Sequence, residues 1–263
     1  MERAEVALYH RQSMNAPPTT APRLIFVPGL MCDAAVWAAQ CGTPEFKALA
    51  PVVVDHGLAD SLETMARQIL VTHDGPLLVA GHSMGGRVAL ELARLAGARL
   101  RGVALLDTGY RALAPGEAGA RETEGRMRLL DLARREGVRA MAATWVQGMV
   151  HPDRLQDRAL IDAVIEMFAR HTVEQFAAQQ QALLQRSDAI DVLRALDCPA
   201  LLLCGREDSW APPQQHAQMA ALVRDATVTV VPDCGHMAPM EQPQAVTAAL
   251  AAWVSRCAAG LMA

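Results

Sequence analysis

The sequence predicts an α/β fold, a mostly parallel sheet flanked by helices, with a helical insertion in the second half of the chain. Short runs of Val, Ile and Leu without clean alternation are typical of strands buried on both faces, and helical patterns separate most of these runs. Such alternation indicates right-handed βαβ crossovers and hence a parallel sheet. The candidate strands are RLIFVPG from Arg23, APVVVD from Ala50, PLLVAG from Pro76, LRGVALLD from Leu100, PALLLCG from Pro199 and TVTVVPDC from Thr227.

One long segment has no strand-like run. Residues 115–196 carry helical periodicity, in stretches such as PDRLQDRALIDAVIEMFARH. We therefore predict a core formed by residues 1–114 and 197–263 and a helical cap, or lid, formed by residues 115–196. Insertions of this kind in α/β enzymes often act as lids or substrate walls, and the alternative is a helical layer without a ligand role. Before the first long strand there is room for at most one short strand, in AEVALYH.

Composition argues against several classes of function. Hydrophobic residues make up 52% of the 263 residues, enough for a sizeable core, and a net charge of −4 offers no basic surface to nucleic acid. The only lysine, Lys47, leaves no credible Schiff-base lysine and no GxxxxGK phosphate loop. The cysteines lack metal-ligand spacing, and no apolar run has the length of a membrane span or the form of a signal peptide. We expect a cytoplasmic monomer or homodimer that needs no metal, cofactor, nucleic acid or membrane.

The pentapeptide GHSMG, from Gly81 to Gly85, lies between a predicted strand and a predicted helix. A GxSxG pattern alone is a weak signal, but the strand–turn–helix context is what a nucleophile elbow requires. The glycines leave room for a tight turn, and the free N–H groups of the helix point toward the serine. We interpret Ser83 as a candidate nucleophile; the alternative is an inert serine in a glycine-rich turn.

A serine nucleophile needs a base, and the base needs an acid to orient it. His236 follows the last predicted strand and is the candidate base, and Asp208 follows the strand before it and is the candidate acid. Asp107, at the end of LRGVALLD, is the alternative acid. All of them follow carboxyl ends of strands, where parallel sheets form their sites. For the oxyanion hole we predict the backbone N–H groups of Met84 and Leu30.

Four segments, PGLMCD, GHSMGG, GREDSW and CGHMAPMEQP, together resemble the α/β-hydrolase superfamily, and in particular its small bacterial lidded serine hydrolases. The resemblance extends from about Ile25 to Val246. It implies the α/β-hydrolase fold and a serine hydrolase that cleaves a small to medium, largely apolar carboxylic ester through an acyl-enzyme. It leaves open a C–C bond hydrolase of ring-cleavage products and a non-catalytic ligand receptor on the same fold.

Residues that line the substrate pocket are harder to predict, because apolar residues at helical spacing are more often core than pocket. Arg87, in the first turns of the elbow helix, is a candidate to meet a substrate carboxylate, and a surface or supporting role is the favoured alternative. The candidate pocket residues are Gly29, Trp145, Met149 and Met237.

Overall fold

A six-stranded sheet forms the centre of the computed structural model, which describes residues 21–260. The strands lie in the order β2-β1-β3-β4-β5-β6, and every adjacent pair is parallel. The predicted fold class is therefore confirmed, whereas the strand expected in AEVALYH lies outside the described residues. The strands are β1 (Arg23–Val27), β2 (Val52–Val53), β3 (Leu77–His82), β4 (Leu100–Leu106), β5 (Ala200–Gly205) and β6 (Ala226–Val231).

Helices occupy the connections between the strands. The elbow helix α4 (Met84–Ala96) packs against α3 (Leu62–Thr72) and against β3 and β4. The C-terminal helix α12 (Pro243–Gly260) packs against α1 (Ala38–Cys41) and against β4, β5 and β6. The helices outside the predicted insertion are α1 (Ala38–Cys41), α2 (Pro44–Leu49), α3 (Leu62–Thr72), α4 (Met84–Ala96), α10 (Pro213–Ala220), α11 (Ala238–Glu241) and α12 (Pro243–Gly260).

The connection between β4 and β5 is long and helical. Its helices are α5 (Glu117–Glu136), α6 (Val138–Trp145), α7 (Arg158–Ala169), α8 (Val173–Leu184) and α9 (Ile190–Ala195). No strand lies between β4 and β5, in keeping with the helical periodicity of the sequence there. We call residues 115–196 the helical segment; its division from the rest of the chain as a separate cap stays a prediction.

Burial along the strands departs from the sequence expectation at one edge of the sheet. Every residue of β3 and β5 is buried, as expected for strands covered on both faces. In β6 this expectation is wrong, because Val228 is 44% exposed and Val230 is 37% exposed. β6 is the outermost strand and lacks the cover that a neighbouring strand and its helices provide. Its Val and Thr residues suit the pleated backbone whether or not they are buried.

The turn from β3 into α4 is a tight junction at the carboxyl edge of the sheet. A Cβ atom on Gly81 would lie 2.2 Å from the carbonyl oxygen of Gly85. A Cβ atom on Gly85 would lie 2.1 Å from the carbonyl oxygen of Val27, at the end of β1. Only glycine fits these positions, because backbone atoms cannot move aside as the end of a side chain can. The start of α4 therefore rests directly on the sheet and carries Ser83 to its carboxyl edge.

The junction yields a prediction for stability. Gly85→Ala should lower the free energy of unfolding by about 3 kcal/mol or more, because an added methyl group has no space and overpacking strains the backbone. Gly125→Ala should raise it by about 0.5–1 kcal/mol, because a mid-helix glycine is less favourable than alanine. An added Cβ at Gly125 would meet only one atom within 4 Å, Nη2 of Arg128, at 3.8 Å.

Urea unfolding followed by circular dichroism measures both changes. Equal stability of Gly85→Ala and the wild-type protein would show that α4 does not depend on direct backbone contact with the sheet.

Candidate active site

Ser83 has a strained backbone. Its φ of 54° and ψ of −117° lie outside the regions that residues with a Cβ atom normally adopt. Hydrogen bonds on both sides hold it there: its N–H donates to the Leu106 carbonyl at 2.9 Å, and the Thr108 hydroxyl donates to its carbonyl at 2.7 Å. Such strain costs about 1–3 kcal/mol and persists only where the surroundings impose it. The turn thereby presents the Ser83 side chain above the ends of β3 and β4.

Three of the predicted residues meet in one hydrogen-bonded chain. Nε2 of His236 lies 2.8 Å from Oγ of Ser83, and Nδ1 of the same ring lies 2.8 Å from Oδ2 of Asp208. The other carboxylate oxygen of Asp208 accepts the backbone N–H groups of Trp210 at 2.9 Å and Ala211 at 3.0 Å. The acid is thus fixed by its own loop, and it holds the imidazole ring in place.

The charge of Asp208 determines which nitrogen of His236 carries the proton. Burial raises the pKa of Asp208, but the charge and hydrogen bond of His236 and the two backbone N–H groups outweigh it and lower the pKa to about 2. An ionised carboxylate can only accept hydrogen bonds, so Nδ1 of His236 is the donor. In a neutral ring Nε2 is then free to accept the hydroxyl proton of Ser83.

The alternative acid, Asp107, lies apart from this chain. Its Oδ1 accepts the N–H of Gly205 at 2.9 Å, and its Oδ2 is 3.8 Å from Nε2 of His82. Burial, followed by the charge of Asp208, raises the pKa of Asp107 well above its usual value. His82 donates Nε2–H to the carbonyl of His236 at 2.8 Å, and burial lowers the pKa of His82 to about 3. Asp107, whose pKa is raised, and His82, whose pKa is lowered, therefore form a buried pair beneath the His236 loop.

The two predicted oxyanion donors lie at the start of α4 and on the loop after β1. Met84 is the first residue of α4, where the backbone N–H has no partner within the helix. Leu30 follows β1, and its N–H makes no hydrogen bond to any residue in the described part of the chain. Both residues line the cavity at Ser83. Two free N–H groups near one hydroxyl can stabilise negative charge on a carbonyl oxygen.

Glu241 anchors the His236 loop, a role that the sequence analysis missed. Its buried carboxylate accepts backbone N–H groups from Gly235 at 3.0 and 3.1 Å, from Met237 at 3.0 Å and from His151 at 2.7 Å. Burial raises the pKa of Glu241, while these hydrogen bonds act in the opposite direction. The sequence signal is an acidic residue five positions after the histidine, in a stretch that otherwise reads as apolar.

The helical segment contacts both loops that flank the hydroxyl of Ser83. Oε1 of Gln179, on α8, accepts the N–H of Met31 at 2.8 Å, and Met31 has a positive φ of 59°. The carbonyl of Met149 accepts the N–H of His236 at 2.6 Å. Gln179 is 2% exposed, so this contact is shielded from solvent. The loop after β1 and the loop after β6 are thus tied to the same helical segment.

A cavity of about 630 Å³ opens above Ser83 and His236. Trp145, Met149 and Met237 line it, whereas Gly29, also predicted as a pocket residue, does not. A Cβ atom on Gly29 would lie 3.1 Å from Cβ of Ser83 and 3.0 Å from Nδ1 of His82, so this glycine packs under the elbow. One wall is aromatic: the rings of Trp145 and Trp210 stack at 5.9 Å.

Arg87 lines the same cavity and is only 5% exposed, so a surface position is wrong, whereas a supporting role stays a prediction. Four residues after Ser83 on α4, its side chain runs beneath the helical segment and donates to the carbonyl of Ser187. The sequence analysis could not foresee this burial, because the cover comes from residues about one hundred positions away.

Within residues 21–260, one group of side chains could offer ligands to a metal ion. Side-chain atoms of His151, Glu207 and Asp233 lie within 4.8 Å of one another. None of the three lines the cavity at Ser83. Exposed acidic groups commonly gather without an ion, so this group does not by itself define a metal site. No helix of the described chain combines the length and apolarity needed to cross a bilayer.

A parallel sheet with a serine, a histidine and an aspartate at its carboxyl edge defines the class to which this protein belongs. The model of the alpha/beta hydrolase family matches residues 24–250, and the chain belongs to that family.

Curated relatives and solved structures are more varied. The chain is 30% identical over 173 residues to 2-succinyl-6-hydroxy-2,4-cyclohexadiene-1-carboxylate synthase of Klebsiella pneumoniae (strain 342), a match that spans 65% of each protein. It is 26% identical over 244 residues to a synthase of the same name from Enterobacter sp. (strain 638), covering 88% of this chain and 90% of that one.

A thermophilic esterase from Thermogutta terrifontis, with malate bound, superimposes with a TM-score of 0.76 and 29% identity, covering 91% of this chain and 92% of that chain. The enol-lactonase from Burkholderia xenovorans LB400 superimposes with a TM-score of 0.74 at 22% identity, covering 89% and 92%, and shows the fold alone. Together with the family, the esterase supports hydrolase activity.

The lowered pKa of Asp208 gives a prediction for acid stability. A carboxyl group whose folded-state pKa lies below its unfolded value stabilises the fold above the unfolded pKa and loses that contribution as pH falls through the folded pKa. The pKa falls from the usual 3.8 to about 2. The stability advantage of the wild-type protein over Asp208→Asn should therefore shrink by about 2 kcal/mol between about pH 5 and about pH 2. Urea unfolding at each pH measures it.

Asp107→Asn is the matched control, with the opposite sign. Because the pKa of Asp107 is raised in the fold, the wild-type protein should lose stability relative to this variant as pH rises above about 4. Differences that stay constant with pH for both variants would contradict the two charge states.

Proposed function

We propose that this protein is a serine hydrolase that cleaves a small to medium carboxylic ester through an acyl-enzyme intermediate. The observation that carries the proposal is the chain of two 2.8 Å contacts that links Asp208, His236 and Ser83. A serine hydroxyl is a poor nucleophile by itself, and an oriented imidazole base is what activates it.

In the first half of the proposed cycle, Nε2 of His236 takes the hydroxyl proton as Ser83 attacks the ester carbonyl. The N–H groups of Leu30 and Met84 stabilise the oxyanion, and such donors each contribute about 3–4 kcal/mol in serine hydrolases. His236 then gives the proton to the departing alcohol, and the acyl group stays on Ser83. Asp208 stabilises the imidazolium and keeps the ring in the productive tautomer.

In the second half, His236 takes a proton from water, which attacks the acyl-enzyme and releases the acid. The same donors hold the second oxyanion. Ser83 regains its proton from His236, and the site returns to its starting state. The buried Asp107–His82 pair beneath the loop favours this cycle, because the raised pKa of Asp107 opposes a second carboxylate charge that would compete with Asp208 for His236.

The cavity supports a substrate of limited size. A volume of about 630 Å³ lies within the usual range for small-molecule pockets. Trp145, Phe168 and Trp210 give it an aromatic wall next to His236, and the ring of Trp210 lies 4.8 Å from that of His236. The esterase from Thermogutta terrifontis, at 29% identity over nearly the whole chain, also supports an ester substrate.

Chemistry on a carbon skeleton is the second candidate, in the form of C–C bond hydrolysis of a ring-cleavage product. The observation in its favour is the similarity to synthases whose name describes a cyclohexadiene carboxylate rather than an ester. The same serine, histidine and oxyanion donors can act on a ketone carbonyl. A conjugated dienol acid, whose absorbance falls on cleavage, is the probe that separates this reaction from p-nitrophenyl ester hydrolysis.

Three variants test the proposed roles on p-nitrophenyl esters from acetate to decanoate. Ser83→Ala should remove all turnover except the small residual rate that the oxyanion donors alone can support. Asp208→Asn should lower kcat about 10³- to 10⁴-fold, because it favours the wrong tautomer of His236. Asp107→Asn should lower it less than about tenfold, because Asp107 lies outside the hydrogen-bonded chain of Asp208, His236 and Ser83.

Circular dichroism and the melting temperature confirm that each variant is folded before rates are compared. A similar loss in Asp107→Asn and Asp208→Asn would reopen the choice of acid. Wild-type rates in pure Ser83→Ala would overturn the proposal, and ester inactivity with turnover of the dienol acid would favour the second candidate.

A further inference from the structure

The inner wall of the cavity contains buried polar groups that the proposed cycle does not use. Arg87 donates Nη2 to the carbonyl of Ser187, but its Nε and Nη1 have no hydrogen-bond partner among the described residues. Nε2 of Gln180 also lacks a partner there, although Oε1 of the same side chain accepts Nη1 of Arg126 at 2.9 Å. Arg87 is 5% exposed and Gln180 is fully buried. Buried donors of this kind normally have an acceptor.

The charge of this wall is unbalanced. Arg126 and Arg186 share one carboxylate, that of Glu122, at 2.8 to 2.9 Å. No carboxylate within residues 21–260 lies close enough to form an ion pair with Arg87. Burial, followed by the nearby charge of Arg186, lowers the pKa of Arg87 to about 10, so the guanidinium remains charged at neutral pH. Arg87, Arg126 and Arg186 therefore lie near the one carboxylate of Glu122 on this wall, and the carboxylates of Glu91 and Asp188 also act on Arg87.

We propose that Arg87, Gln180 and Arg126 form a subsite for a carboxylate group of the substrate. A carboxylate would accept hydrogen bonds from the unpartnered donors and would neutralise part of the excess positive charge. A guanidinium fork suits this planar, two-oxygen group better than any neutral acceptor. Water could accept the same hydrogen bonds, but it would leave the charge uncompensated.

The position of the subsite restricts the substrate. Arg87 and Ser83 lie one turn apart on the elbow, a rise of about 6 Å along the helix axis, and both line the same cavity. A molecule with its reactive carbonyl at Ser83 can therefore reach Arg87 with a carboxylate a few bonds away. The aromatic wall at Trp145 and Trp210 receives its apolar part. This inference rests on the proposed function for the position of the reactive carbonyl, and it replaces a largely apolar substrate with one that has an anionic end.

A purely structural role for Arg87 accounts for only part of the geometry. Its contact with the Ser187 carbonyl joins α4 to the end of the helical segment. That contact uses Nη2 and leaves Nε and Nη1 without a hydrogen-bond partner among the described residues. A structural role for Arg87 also leaves unexplained the unpartnered amide of Gln180, which lines the same cavity.

Binding of dicarboxylates tests the subsite without any catalytic step. Succinate, glutarate and adipate are titrated calorimetrically into the wild-type protein, with glutaramide as the neutral analogue of glutarate. At least one dicarboxylate should bind, and glutaramide should bind at least tenfold more weakly than glutarate. Absence of binding by all three acids, or equal affinity for glutarate and glutaramide, would overturn the proposal.

Gln180→Glu is the sharpest variant, because it preserves shape and adds a negative charge beside Arg126, in the cavity that Arg87 also lines. It should weaken binding of the tightest-binding dicarboxylate at least tenfold. Arg87→Lys should weaken that binding less than Arg87→Gln does. Arg139→Gln is the matched control: this exposed arginine pairs with Glu166 outside the cavity and should leave binding unchanged within twofold. Wild-type affinity in Gln180→Glu would contradict the assignment.

Ester kinetics separate the subsite from the proposed function. The ratio of kcat/KM for mono-p-nitrophenyl adipate to that for its methyl ester should exceed one in the wild-type protein and fall at least tenfold in Gln180→Glu. Dicarboxylate binding that depends on Gln180, without hydrolysis of either ester, would retain the subsite and reject ester hydrolysis. Hydrolysis of both esters with a ratio that the variant does not change would reject the subsite and retain the hydrolase.

Discussion

The close approach of the elbow helix to the sheet is the constraint on which the rest of the site depends. Gly85 lies against the backbone at the end of β1, and Gly81 lies against Gly85 itself, so the chain between them has a single path. That path forces Ser83 to a positive φ and lifts its hydroxyl above the strand ends. The helix begins at the next residue, and its free N–H groups surround the same point. The close approach of the helix to the sheet therefore explains both the strained backbone of Ser83 and the position of the N–H donors near it.

Loops carry the other candidate residues of the site to this fixed hydroxyl, and hydrogen bonds hold those loops in place. Glu241 holds the loop that carries His236 by accepting three backbone N–H groups. Gln179 and Met149, both from the helical segment, hold the loops after β1 and β6. The helical segment therefore contributes to the geometry around Ser83 as well as to the walls of the cavity. A change in the packing of the helical segment would therefore move both Leu30 and His236.

Local patterns predicted the six strands, their mostly parallel pairing and the meeting of Ser83, His236 and Asp208, because parallel strands deliver their carboxyl ends to one edge. Contacts between distant segments were not predictable in the same way. The burial of Arg87 depends on residues about one hundred positions away, and no periodicity of α4 reports them. The position of Gly29 could not be predicted for a similar reason, because Gly29 packs tightly under Ser83 only when β1 and β3 are neighbours in the sheet.

Covalent trapping of the nucleophile tests the central claim most directly. An alkyl fluorophosphonate reacts with a serine that an adjacent base activates, and the adduct is located by peptide mass spectrometry. The account predicts a single adduct, on Ser83, that forms at least a hundredfold more slowly in His236→Ala and at the normal rate in His73→Ala, whose histidine lies at the end of α3 away from the cavity. An unmodified Ser83 in the folded wild-type protein, or equal rates in His236→Ala and the wild type, would contradict it.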